Sequence, residues 1–148
     1  MVDEHNNPRA VDYKPKGAEW LYYLSHRLFK CGYAKIASIA KRFNQFFFHV
    51  NIYPQVCIGR GLQLPHGGFG VVIHPDTVIG NDAIIFHNVT IANGGARIGD
   101  RVYIGTGSVI LGAVTLGNDV VIGANSVVNF DVPDGGIVVS SKSFMIRK

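Results

Sequence analysis

The stretch IGDRVYIGTGSVILGAVTLGNDVVIGANSVV, residues 98–128, carries an aliphatic side chain at every sixth position: Ile98, Ile104, Ile110, Leu116, Ile122 and Val128. Four positions after most of these comes a second small or branched residue, at Val102, Ser108, Val114, Val120 and Ser126. Glycine often follows the aliphatic residue directly, as at Gly99, Gly105, Gly117 and Gly123. A period of six suits neither an α-helix nor a long two-faced strand. It suits a chain that turns a corner every six residues, with a short strand between corners and the aliphatic side chain pointing inward. Three such faces close one coil, and coils stack by parallel β hydrogen bonding into a solenoid.

The same beat extends upstream through Ile91, Ile85, Ile79 and Ile73, and earlier through Leu64, Ile58 and Ile52. Two interruptions break it. From Leu64 to Ile73 the spacing is nine, and the insert reads Pro65-His66-Gly67-Gly68-Phe69-Gly70. From Ile91 to Ile98 it is seven, with Asn93-Gly94-Gly95 inside. Breaks in a solenoid are where loops leave the regular surface and where function concentrates.

Residues 17–48 follow a different rule. Leu21, Leu24 and Leu28, then Ile36, Ile39 and Phe43, recur at helical spacing, and Gly32 separates two expected helices. The chain is thus expected to be mainly β, with a helical cap over 1–50, a β-helix over 51–134 and a tail over 135–148. The cap is read as packing on the first coil or on a partner subunit. A second reading makes residues 17–48 a basic, aromatic helix pair resting weakly on a membrane surface.

Composition agrees with a packed domain. The chain is 47% hydrophobic and only 16% charged, far from the disordered class. Its net charge of +4 resides in residues 1–50, with eight Lys/Arg against four Asp/Glu; residues 51–148 hold six of each. A neutral β region without a basic stripe argues against nucleic-acid binding. The polar start MVDEHNNPRA lacks a signal-peptide core, so a cytoplasmic location is expected. Cys31 and Cys57 have no metal or redox spacing and are expected to be free, buried thiols.

The hexapeptide beat, the segment IGRGLQLPHGGFGVVI (58–73) and the last coils, IGTGSVILGAVTLGNDVVIGANSVV (104–128), resemble the serine acetyltransferases within the hexapeptide acyltransferase superfamily. That resemblance implies a left-handed parallel β-helix, a homotrimer with sites between neighbouring subunits, and an O-acetyltransferase that takes its acyl group from acetyl-CoA. It implies His66 as the general base. Neutral histidine suits removal of a hydroxyl proton near pH 7. The family's orienting aspartate falls at Asn51, and Asp76 and Asp82 are alternatives for that task. His87 is expected to face outward, to bind the acceptor or to act as base itself, and His74 to sit at a corner. Gly94, Gly95, Thr106 and Ala124 match positions along which CoA lies, and Lys142, Arg147 and Lys148 are candidates for its phosphates. The family's aspartate before the catalytic histidine is Pro65 here, and its Arg-His pair shrinks to Asn93–Ala96. Both elements hold an amino acid, so a sugar hydroxyl rather than L-serine is the expected acceptor.

Two other readings stand beside this one. The β-helix would serve as a non-catalytic scaffold, or it would hold zinc on His66, His74 and His87 as in the β-helical carbonic anhydrases. The resemblance itself implies no metal.

Overall fold

The computed structural model describes residues 13–92 and 94–141. Two helices, α1 (Ala18–Lys30) and α2 (Ala34–Phe48), precede thirteen two-residue strands. Gly32, at φ +86°, sits in the turn between the helices, and Tyr33 N–H closes the end of α1 on Leu28 O.

The strands form three parallel sheets, one for each face of a triangular coil. The first face stacks β1 (Asn51–Ile52), β3 (Val72–Ile73), β6 (Thr90–Ile91), β9 (Val109–Ile110) and β12 (Val127–Val128). The second stacks β2 (Cys57–Ile58), β4 (Val78–Ile79), β7 (Arg97–Ile98) and β10 (Thr115–Leu116). The third stacks β5 (Ile84–Ile85), β8 (Tyr103–Ile104), β11 (Val121–Ile122) and β13 (Ile137–Val138). Registers keep like over like: Ile73, Ile91, Ile110 and Val128 pair in one column, and Ile85, Ile104 and Ile122 in another. The six-residue beat is therefore the core itself. Ile73, Ile85, Ile104, Ile110 and Ile122 are fully buried, and the small residues Ala83, Ser108 and Val120 fill the corners beside them.

Two sequence expectations are corrected. The β-helix continues past position 134: Val132 bridges Leu116, and a turn through Pro133 and Gly136 brings β13 into register on β11. Cys31 and Cys57 are free but exposed, because Cys31 lies in the interhelical turn and Cys57 takes the outward place in β2. The apolar residues Ile36, Ile39 and Phe43 of α2 face outward; Ala37 and Asn44 are the ones buried.

Tyrosines dock the helices on the coils. Tyr22 is fully buried; its hydroxyl donates to Val56 O at 2.7 Å and accepts from Ile58 N–H at 3.2 Å. Tyr23 donates to Gly59 O, and buried Asn44 donates to Ala18 O. Backbone groups of the first coil, which has no coil before it, find partners this way.

Candidate active site

Pro65 opens the insert, and the chain then turns through three successive positive φ values at His66 (58°), Gly67 (75°) and Gly68 (69°). Gly67 N–H returns to Leu64 O, and Val71 N–H to Gly68 O. A side chain at Gly68 would press on Leu64 and Val50 at 3.0–3.1 Å, so the turn requires glycine at that point. The turn pushes His66 out to an exposed position on the edge where the third face passes into the first.

The residues at that edge form a column. Continued three residues onward from the bridge of Gln63 to Ile84, and two onward from the pairings of Ile85 with Ile104 and Ile104 with Ile122, the register sets His66, His87, Thr106 and Ala124 on successive coils. Thr106 Oγ1 donates to His87 O at 2.9 Å, and Asn125 N–H to Thr106 O at 2.8 Å, which ties the column together. His87 is half-buried, and its Nδ1 is buried without a hydrogen-bond partner. Its ring lies 5.3 Å from that of His66. Phe86, 6.1 Å from the His66 ring, and Tyr103, 5.1 Å from Phe86, extend an aromatic shelf beside it.

Glu19 of α1 is a site residue the sequence did not mark. It is only 3% exposed, and its Oε1 accepts from Leu64 N–H and from the Tyr13 hydroxyl, both at 2.8 Å. It thereby pins the start of the His66 turn to the helix. Burial, then donation to Glu19, pushes the Tyr13 hydroxyl up to about 12. Tyr13, Lys16, Glu19, Phe48, Gln63 and His66 border a cavity of about 470 Å³. A lone buried glutamate in a helix pattern gives no sequence signal, because its partner lies 45 residues away.

The remaining candidates lie elsewhere. Asn51 begins the first face just past the same edge, and its Oδ1 is buried without a partner. Its side chain borders a separate cleft of about 460 Å³ with Tyr53, Val72, His74 and Thr90. His74 occupies the next corner, where Nδ1 accepts from Asp76 N–H at 3.3 Å and stands 3.7 Å from the Asp76 carboxylate. Asp82 sits at a third corner, with N–H on Arg60 O. Gly94 and Gly95 lie at the His74 corner, not on the His66 edge, and packing accounts for them. A Cβ at Gly94 would strike Ala113 N at 2.7 Å, and one at Gly95 would strike Asp76 O at 2.6 Å. Lys142, Arg147 and Lys148 lie outside the described residues. Among the described residues no three His, Cys, Asp or Glu side chains converge as metal ligands. His66 and His87 adjoin, but His74 pairs with Asp76 at another corner.

A triangular parallel β-helix with a histidine turned out at one edge defines the hexapeptide-repeat acyltransferases. Residues 95–129 match the model of the bacterial transferase hexapeptide, in six repeats. The chain belongs to the serine acetyltransferase family. It is 41% identical over 134 residues to the serine acetyltransferase of Helicobacter pylori, covering 86% of this chain and 78% of that protein. Serine acetyltransferase isoform 3 of Entamoeba histolytica, solved in complex with cysteine, superposes with a TM-score of 0.80 at 30% identity, over 88% of this chain and 49% of that one. A serine acetyltransferase solved in complex with CoA superposes with a TM-score of 0.79 at 31% identity, over 83% of this chain and 53% of that one. The solenoid is accordingly the left-handed β-helix of that family, and the chain spans about half the length of these solved relatives.

Proposed function

We propose that this protein is an acetyl-CoA-dependent O-acetyltransferase in which His66 takes the proton of an acceptor hydroxyl. The observation that carries the reading is the column of His66, His87, Thr106 and Ala124 along one edge. An alcohol becomes a competent nucleophile only as its proton leaves, and an exposed imidazole at the mouth of a cavity suits that task. The hydroxyl oxygen attacks the acetyl carbonyl, the tetrahedral intermediate collapses with loss of the CoA thiolate, and the proton held on His66 goes to the sulfur. No covalent acyl-enzyme is needed. Backbone N–H groups of the glycine-bearing turn supply donors for the oxyanion. The extended pantetheine arm lies along the column below His66, where the small side chain of Ala124 leaves the backbone open.

His87 contributes as the second imidazole at this edge, 5.3 Å from the His66 ring, where it can bond an acceptor or the carbonyl oxygen. Asn51 is the residue we assign to orient the base: its Oδ1 has no hydrogen-bond partner within the chain and can accept from an imidazole N–H. A homotrimer completes the site. Val72 and Val127 on the first face, with Ile137 on the third, expose the apolar surface that neighbouring subunits cover. The reaction belongs in the cytoplasm, with acetyl-CoA.

A sugar hydroxyl is the acceptor this site favours. Pro65 replaces the family's carboxylate, while Phe86 and Tyr103 offer flat apolar rings to the C–H face of a pyranose. Calorimetric titration with acetyl-CoA and with CoA, followed by a CoA-release assay on L-serine and on sugars, tests the reading. Binding of one acetyl-CoA per chain with release on sugars supports it. Release on serine alone reverses the acceptor assignment, and no binding at millimolar ligand removes the enzyme reading in favour of a scaffold.

A further inference from the structure

Helix α2 is apolar on the side it buries and again on the side it shows to solvent. Ala37 and Asn44 are buried and Phe48 half-buried, which satisfies the inner side. Ile36, Ile39, Phe43, Phe46 and Phe47 are each more than half exposed, up to 75% at Phe46. At 3.6 residues per turn these five fall within an arc of about 100° on the outer side. Phe43 stacks on Phe47 with centroids 5.8 Å apart, and Phe46 meets Phe47 edge-on at 5.1 Å. Together with Ile39 and Arg42 the rings enclose an open hollow of about 410 Å³. A contiguous apolar surface of this kind costs free energy in water and marks a contact site.

We propose that this outer face of α2 docks on an anionic lipid bilayer. Charge is the first argument. Lys35 and Arg42 are exposed along one border of the stripe, and α2 contains no Asp or Glu. An apolar aromatic face bordered by cations is the pattern of a helix lying in the headgroup region. No helix among the described residues is long and apolar enough to cross a membrane, so the contact is with the surface. A second copy of the chain fits less well. Two α2 faces pressed together would bring Lys35 and Arg42 of both copies to one interface with no carboxylate on either helix.

Position is the second argument. The stripe ends at Phe47, and the next residue, Phe48, borders the cavity of His66. His49 then sets its ring against Phe69 at 5.0 Å, and Phe69 is itself exposed on the catalytic turn. Phe48 belongs to the inner side of α2, so a bilayer under the stripe leaves that cavity open on the other side of the helix. The docking does not rest on the acyl-transfer reading.

The test is co-sedimentation of the full chain with vesicles of phosphatidylcholine mixed with phosphatidylglycerol, and with vesicles of phosphatidylcholine alone. Partitioning to the anionic vesicles is expected to be about tenfold stronger or more. The F43S/F47S pair should lower it by about tenfold or more on both vesicle types, and K35E/R42E should abolish the anionic preference. Acetyl-CoA binding and thermal melting of each variant separate loss of docking from loss of fold or of the active site. Should F43S/F47S fail to fold, K35E/R42E, which alters only exposed side chains, decides alone. Absence of vesicle binding, or equal binding by wild type and variants, overturns the proposal. So does a fall in molar mass by light scattering for F43S/F47S without vesicle binding by the wild type, which assigns the face to a second copy.

Discussion

The ring of His87 meets that of His66 edge-on, with 5.3 Å between centroids and 87° between planes. The two histidines belong to successive coils, so the register of the solenoid, not the loop alone, brings them together. His66 is exposed, whereas His87 holds one nitrogen buried without a partner. This asymmetry separates their roles. His66→Ala should lower kcat by about two to four orders of magnitude while leaving acetyl-CoA binding intact. His87→Phe keeps a ring and removes both nitrogens, and should cost less, about tenfold to a hundredfold, chiefly in kcat/KM for the acceptor. Steady-state kinetics with parallel calorimetry distinguish the two. A larger loss in His87→Phe than in His66→Ala would exchange the roles.

Asn51 offers a test by addition. An amide oxygen accepts a hydrogen bond from imidazole but does not neutralise an imidazolium as a carboxylate does. Asn51→Leu, which removes the acceptor, should lower kcat by about three- to tenfold, corresponding to roughly 0.5–1.5 kcal/mol. Asn51→Asp should raise kcat above the wild type. Unchanged kcat in both variants would free Asn51 from the site and leave its orphaned oxygen to the cleft it shares with His74.

The six-residue beat made the fold legible because each inward aliphatic residue is a repeated solution to one packing problem. Ile122 is predictable from Ile104 once the period is known, and Ile104 from Ile85 once the extra residue between Ile91 and Ile98 is counted. The column of His66, His87, Thr106 and Ala124 was half legible: the residues could be named, but their alignment needed the three-face register. Gly94 and Gly95 stay open to two readings, since glycine at a break is equally well explained by a close approach between coils. Glu19 was not legible at all, and the outer face of α2 only as a basic, aromatic helix pair without an orientation. Helical spacing says that Ile36, Ile39 and Phe43 share a side, but not which side meets the coils, and here Ala37 and Asn44 do.

The repeat also ranks stability contributions. Ile104 is fully buried in the middle of its column, and Ile104→Ala should cost about 2–5 kcal/mol through lost contacts and a residual cavity. Arg101 and Asp119 form a two-pronged pair between adjacent coils, with both bonds at 2.7 Å, but the two side chains are 42% and 50% exposed. Asp119→Asn should therefore cost far less than Ile104→Ala, and less still in high salt. Denaturant titrations should order the two variants in this way. A comparable cost for both would mean that the surface ladder, not the core column, holds the coils together.

Tyr22 links the helices to the first coil and should make the protein sensitive to alkali. Its burial pushes the hydroxyl well above the ordinary value of 10.0, while Tyr13 is raised to about 12. The folded chain therefore holds protons that the unfolded chain gives up from about pH 10. The stabilisation is complete below pH 10 and is lost as pH climbs through 12. Tyr22→Phe removes one of these groups and two hydrogen bonds, leaving Val56 O and Ile58 N–H unsatisfied. At pH 7 it should lower stability by about 1–3 kcal/mol. Above pH 10 its stability should fall less steeply than that of the wild type, by up to about one proton in slope. Melting curves from pH 7 to 12, with tyrosinate absorbance followed in parallel, measure both quantities. Parallel pH profiles for wild type and variant would show that Tyr22 ionises in the folded state as it does in the unfolded one.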